Sequence, residues 1–316
     1  MFLKKQIIVS IIVLCVASSL LIGYLLFYPK TLQGSQGLSI AASDKFSIQV
    51  RGVPLPKSLD FAGESVPLEL YYVKEHLEWE LTVNTYWHSS TLLNLKRSSR
   101  WFPVIEPILK QNNIPDDFKY LSLIESGFQN VTSPVGAIGF WQFLKGTAIE
   151  YGLEVNQEVD ERYHVEKSTV AACKYFTKAY EKYKSWTLVA AAYNAGSKGI
   201  DRQIEIQKET NYYNLLLADE TERYVFRILA LKTIINQPLE YGFELLPEDY
   251  YQPLPYKIEM VSTAIVSWAD YAKERQLSYR LLKEFNPWLR QPDLKNPSLK
   301  TYELKIPDIK AVSILN

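Results

Sequence analysis

Glu125 is the residue whose setting most invites chemistry. It stands in Tyr120-Leu-Ser-Leu-Ile-Glu125-Ser126-Gly127-Phe128, where a helix begun at Pro115 would stop at Gly127. At about 100° per residue, Phe118, Leu121, Glu125 and Phe128 share one side, so a carboxylate falls within an apolar stripe at the last turn. Burial disfavours its charge, as does the partly negative end of the helix, and both raise its pKa. A carboxylic acid kept protonated near neutral pH can serve as a general acid. The plainer alternative is a helix-terminal Glu that bends out to water. The loop that follows weighs against it, because Gly136 and Gly139 let backbone approach a ligand beside the ring of Trp141 and the amide of Gln142. Sugars suit such a wall.

The elements that must hold these groups read as helices. Apolar positions at helical spacing begin near Val73, with Leu77 and Leu81, and continue to Leu95; a further segment carries Trp101, Val104, Ile105, Ile108 and Leu109. Thr147-Ala-Ile-Glu150 fits a capping box, and a helix is expected from about Ser168 to Tyr183. Another runs from Trp186 to a stop at Asn194-Ala-Gly196, which puts Tyr193 and Asn194 at a helix end. Asp219 is a plausible cap for the last long helix, with Tyr224, Val225, Ile228 and Leu231 along its stripe. Few stretches alternate as strands before residue 250.

With 316 residues, 47% of them hydrophobic, the chain can bury a sizeable core, and 35 basic against 35 acidic side chains exclude binding to nucleic acid chiefly through phosphates. Residues 6–28 are apolar and uncharged, close to the roughly 20 needed to cross a bilayer. Lys4 and Lys5 outweigh Lys30, so the start stays cytoplasmic and the rest is exported. The apolar run continues well past the small residues Ala17 to Ser19, which favours an uncleaved anchor over a signal peptide. Leu14 before Cys15 argues against a lipid-attachment signal. Cys173 is the only cysteine beyond the anchor, which leaves no intrachain disulfide there, and its apolar neighbours make it a core residue. His76, His88 and His164 lack metal-ligand spacing, so neither a metal nor another cofactor is expected.

Six short motifs, in order, resemble the catalytic domain of lytic transglycosylases, the glycoside hydrolase family 23-like group, in the form found in its membrane-bound members. They are Glu125-Ser126, Ser133 with Gly136-Ala137 and Gly139, Trp141-Gln142-Phe143, Val159-Asp160-Glu161-Arg162, Ala191-Ala192-Tyr193-Asn194-Ala195-Gly196, and Glu220-Thr221 with Tyr224-Val225. The resemblance implies a mainly α, lysozyme-like helical domain that cleaves peptidoglycan glycan strands between N-acetylmuramic acid and N-acetylglucosamine without adding water. Glu125 would be the catalytic acid and then base, and Ser133, Gln142, Tyr193, Asn194 and Glu220 would orient it or bind sugar. Asp160, Glu161 and Arg162 look structural. A hydrolytic muramidase and a non-catalytic peptidoglycan-binding scaffold are the alternatives. Near the end, a strand at Tyr256-Lys-Ile258, helices over 262–276 and 278–285 and a strand at Tyr302-Glu-Leu-Lys-Ile-Pro307 resemble a βααβ lysin-motif (LysM) module, though the usual Gly-Asp-Thr entry to its first helix is missing. The expected organisation is a transmembrane helix in 1–30, a tether and lead-in over 31–72, the catalytic domain over 73–242 and the LysM-like module over 250–312. Such a chain would sit in the bacterial inner membrane as a single-pass protein, its catalytic domain in the periplasm.

Overall fold

Two apolar clusters organise residues 50–309, the part of the chain that the computed structural model describes. The expected anchor in 1–30 and the first part of the tether, 31–49, lie outside the described residues. Among the described residues no helix is long and apolar enough to cross a membrane.

The larger cluster is helical. Its elements are α1 (Tyr71–Tyr86), α2 (His88–Gln111), α3 (Phe118–Ser126), α4 (Lys145–Glu150), α5 (Val165–Tyr183), α6 (Trp186–Ala195), α7 (Ser197–Gln207) and α8 (Asp219–Asn236). A two-residue hairpin precedes them, β1 (Asp60–Phe61) with β2 (Glu64–Ser65). α8 packs on α1, α3 and α6, while α2 packs on α3 and α5, so α3 is held between the two long helices α2 and α8. Apolar stripes drive this packing: Leu77 and Leu81 of α1, Ile105 and Leu109 of α2, and Val225, Ile228 and Leu229 of α8 are all fully buried. Polar pairs fix the register. Arg223 of α8 binds the buried Glu80 of α1 at 2.7 Å, and the Glu64 carboxylate accepts from the backbone N–H groups of Trp186 and Thr187 at the start of α6.

Several local expectations change. The break between the first two helices falls at Trp87, whose backbone leaves the helical region, and α2 then runs unbroken through Pro103 and Pro107. Thr147 caps nothing: α4 starts at Lys145 after Leu144. Ala218, not Asp219, is the residue before α8, and Asp219, Glu220 and Glu222 stand in its first turn, where acids suit the helix dipole. The lead-in is docked from Val53 onward, since Val53, Leu55 and Leu59 pack on the core and Tyr241 Oη donates to the Pro54 carbonyl at 2.9 Å.

The smaller cluster surrounds β3 (Tyr256–Val261) and β4 (Tyr302–Pro307), antiparallel with Tyr256 opposite Pro307 and Val261 opposite Tyr302. Between them lie α9 (Trp268–Glu274) and α10 (Tyr279–Phe285), capped by the hydroxyls of Ser267 and Ser278. The β-α-α-β order is as expected, but the first helix is shorter than 262–276. Ile265 exchanges both backbone hydrogen bonds with Leu294, at 2.8 Å each, and cannot also be helical. Val159, from the segment between α4 and α5, is fully buried in this second cluster.

Candidate active site

α3 ends as its sequence requires. Gly127 adopts a left-handed conformation at φ +58°, and its N–H bonds the Leu123 carbonyl. The helix is shorter than Pro115 suggested, because residues 115–120 make three-residue turns before Phe118. Glu125 is thus the penultimate residue of α3. It is half-buried, while Phe118, Leu121 and Phe128 are buried.

Tyr224, buried in α8, donates its hydroxyl to Glu125 Oε1. Burial pushes the Glu125 carboxyl above its ordinary value; the Tyr224 hydrogen bond and the Arg227 guanidinium pull it down, and the Glu220 charge pushes it up, for a net rise. Tyr193 also feels the Glu125 charge, and burial chiefly holds its phenol well above the usual range. Its hydroxyl donates to the Trp141 carbonyl at 2.5 Å, which ties α6 to the loop over 133–143. Asn194 turns the other way: its amide nitrogen is 3.4 Å from Glu220 Oε1, and its oxygen accepts from Thr221 Oγ1 at 2.9 Å. Glu125, Tyr193, Asn194 and Glu220 therefore share one neighbourhood at the ends of α3 and α6 and the start of α8.

The loop itself is wired internally. Ser133 Oγ accepts the Ala137 N–H at 3.0 Å, and the Gln142 amide donates to the carbonyls of Gly139 at 2.7 Å and Val131 at 3.2 Å. Neither side chain hydrogen-bonds Glu125. The Phe140 carbonyl accepts from Ser122 Oγ at 3.1 Å and Ser126 Oγ at 3.0 Å, so the loop is bolted to the helix that carries the acid. From the outside Arg162 grips it. The guanidinium is bidentate to buried Asp160, at 2.9 and 2.7 Å, and reaches the carbonyls of Gly136 and Phe143 at 3.3 Å. Gly139, at φ +80°, lies so near this segment that a Cβ would stand 2.1 Å from the Arg162 carbonyl oxygen.

These contacts correct the expected sugar-facing wall. Trp141 is fully buried and donates its indole N–H to Thr169 Oγ1 at 2.9 Å, and Gly139 serves backbone contact with Arg162 rather than with a ligand. The sequence offers Tyr224 as a residue of the α8 stripe and of the last motif, without a role against Glu125. Its signal was a phenol on a buried face, whose hydroxyl needs a partner.

A groove of about 630 Å³ opens beside α3. Ile124, Ser126 and Gly127 line it on either side of Glu125, which is not itself among the lining groups, and α2 and α8 form its flanks. Glu220 and Arg227, whose charges act on the Glu125 carboxyl, both line the groove, and the carboxyl itself is linked to protein by Tyr224 and is half-buried. Among the described residues, no cluster of His, Cys, Asp and Glu could hold a metal ion.

Residues 102–216 match the family described as Transglycosylase SLT domain, and residues 257–310 match the family described as Soluble lytic transglycosylase C-terminal LysM-like domain. Two curated relatives, from Escherichia coli K12 and an O6:H1 strain of the same species, are named Membrane-bound lytic murein transglycosylase D. Each is 29% identical over 273 residues, which cover 80% of this chain and 59% of theirs. Among solved structures, the 70 kDa soluble lytic transglycosylase of Escherichia coli aligns at 18% identity and a TM-score of 0.39, over 58% of this chain and 32% of that one, a likeness too slight to assign a fold. The chain therefore carries a transglycosylase SLT domain over 102–216, followed by a lytic-transglycosylase LysM-like module over 257–310.

Proposed function

We propose that this protein is a peptidoglycan lytic transglycosylase, with Glu125 as its catalytic acid and base. The observation that carries the reading is the Glu125 carboxyl, pushed by burial toward its neutral form while Tyr224 fixes one oxygen, within reach of the charges of Glu220 and Arg227 on the groove wall. The neutral acid protonates the glycosidic oxygen between N-acetylmuramic acid and N-acetylglucosamine, and the bond to the muramoyl anomeric carbon breaks. The carboxylate so formed takes the proton of the muramoyl 6-hydroxyl, whose oxygen closes on the anomeric carbon and leaves a 1,6-anhydro end. Glycosidases that use two carboxylates hold the second across the sugar. Here the acid whose charge reaches Glu125 is Glu220, on the same cluster as Asn194, and the substrate's own N-acetyl group serves in place of a second carboxylate.

Tyr193 holds the loop against α6, Asn194 and Glu220 present polar groups beside the acid, and Ser133 and Gln142 keep the loop in shape for the strand. The relatives' names describe membrane-bound enzymes, and the apolar run over 6–28 would hold this chain in the inner membrane with the domain in the periplasm.

Digestion of purified cell walls followed by product mass analysis tests the reading. Products with anhydro ends, one water lighter than reducing ends, are expected; reducing ends alone would make the protein a hydrolase. Glu125→Gln should lower kcat on the order of 10²-fold or more.

A further inference from the structure

Between α4 and α5 the chain supplies a residue to the core of the other cluster. Val159 is fully buried, and the residues around it belong to the LysM-like module. Its backbone forms an antiparallel bridge with Leu289, in the loop between α10 and β4. On either side of the bridge the Asp160 N–H donates to the Trp288 carbonyl at 2.9 Å, and the Arg290 N–H donates to the Glu158 carbonyl at 2.8 Å. Glu158 Oε2 also accepts the Lys295 N–H at 2.9 Å, and the Gln291 amide donates to the Gln157 carbonyl at 3.1 Å. Residues 157–160 thus pair with the module as an added extended segment, and the Val159 side chain is the plug that seats it.

Three residues past the plug stands Arg162, which grips the loop over 133–143 through the Gly136 and Phe143 carbonyls. Asp160 and Arg162 are neighbours on one short segment, so their ion pair cannot by itself fix where that segment lies. The module fixes it through Val159 and the Asp160 N–H, and Lys167 of α5 adds a second anchor by binding Glu161 at 2.5 Å. From the loop two links run toward the acid. The Phe140 carbonyl accepts from Ser122 and Ser126 of α3, and the Trp141 carbonyl accepts from Tyr193, whose phenol feels the Glu125 charge. A continuous chain of packed and hydrogen-bonded groups therefore joins the module to the helix that carries Glu125.

We infer that the LysM-like module is a brace for the catalytic domain: through Val159 it positions Arg162 and the loop over 133–143, and so serves turnover rather than capture of the strand. Val159 is a positioning residue, since it touches neither the acid nor the groove and acts only through Arg162. The kinetic half of this role rests on the proposed action on peptidoglycan, whereas the coupling from module to loop is a property of the fold and is measurable without it.

The test compares the full chain with Val159→Ala, which shrinks the plug, and Val159→Ile, which keeps it apolar and branched. The amides of Ala137, Gly139 and Phe143 are all hydrogen-bonded within the loop region, and in Val159→Ala their hydrogen exchange should quicken about tenfold while the middle of α8 keeps its native rates. Val159→Ile should keep the slow exchange. Loop exchange that stays native in Val159→Ala, or that quickens equally throughout the chain, overturns the brace. Glu158→Ala removes only the acceptor of the Lys295 N–H and should give the same pattern at about threefold, so the test survives if Val159→Ala fails to fold. On purified glycan strands, Val159→Ala should lower kcat about tenfold with KM within about twofold of native, and Val159→Ile should restore kcat. A raised KM with native kcat would make the module a device for holding the strand and overturns the assignment. If the native chain cleaves no strand, the proposed activity fails and the exchange rates alone decide the brace.

Discussion

The two sides of α3 handle their polar groups in opposite ways. Toward the loop over 133–143, each group is engaged: Ser122 and Ser126 on the Phe140 carbonyl, Gln142 on its own loop, and Arg162 on Asp160 and two carbonyls. The engagement continues into the LysM-like module. The Asp160 N–H bonds the Trp288 carbonyl at 2.9 Å, the Arg290 N–H bonds the Glu158 carbonyl at 2.8 Å, and Lys305 binds Glu166 at 2.5 Å. Toward the groove the engagement is partial: Arg223 is held by Glu80 and Asp219, while the Arg97 guanidinium meets the Gly127 carbonyl at 3.3 Å and forms no ion pair among the described residues. A side whose hydrogen bonds close on themselves is a scaffold; a side that leaves them open is shaped for something else to complete. Glu125 lies where the two meet.

The largest expected effect on the closed side comes from Arg162→Ala. It strands buried Asp160 without its cation and releases the loop, and should cost on the order of 3–5 kcal/mol in chemical denaturation. A loss below about 1 kcal/mol would mean that the pair contributes little and the closed side is not a scaffold. On the site itself, Tyr224→Phe removes a hydrogen bond that lowers the Glu125 pKa, so the basic limb of kcat/KM should move to higher pH, with activity down about tenfold. Glu220→Gln removes a charge that raises the same pKa and should move that limb to lower pH. Shifts of the same sign in both variants would contradict the account.

The seam to the module should show a smaller effect. Burial would raise the Glu166 pKa, but His164 and Lys305 hold it down to about 2. Its contribution to stability is complete above the unfolded carboxylate value and is lost as pH falls toward about 2. The seam should therefore loosen between about pH 4.5 and 2, and Glu166→Gln should flatten that part of the stability profile. Acid unfolding that is identical in the variant would separate the seam from this pair.

What could be read from the sequence was mostly local. Gly127 as the stop for α3 and the shelter of Glu125 follow from spacing along a single turn, and the alternation of Tyr302, Leu304 and Ile306 marks β4 without any knowledge of its partner. What escaped depends on distant residues. Trp141 beside a glycine loop reads the same whether the ring points in or out; Thr169, 28 residues away, provides the inward partner. The first helix of the module shortens because Leu294 claims the backbone of Ile265. Arg162 looked structural from its motif, but its grip on Gly136 and Phe143 appears only when the loop folds over it.

The most direct measurement is a titration of the Glu125 carboxyl itself, by the infrared difference between the native protein and Glu125→Gln across pH. Its midpoint should lie above the ordinary glutamate value of 4.5. A midpoint at or below that value would mean that the carboxyl is already ionised when a strand arrives, and would contradict its role as the acid.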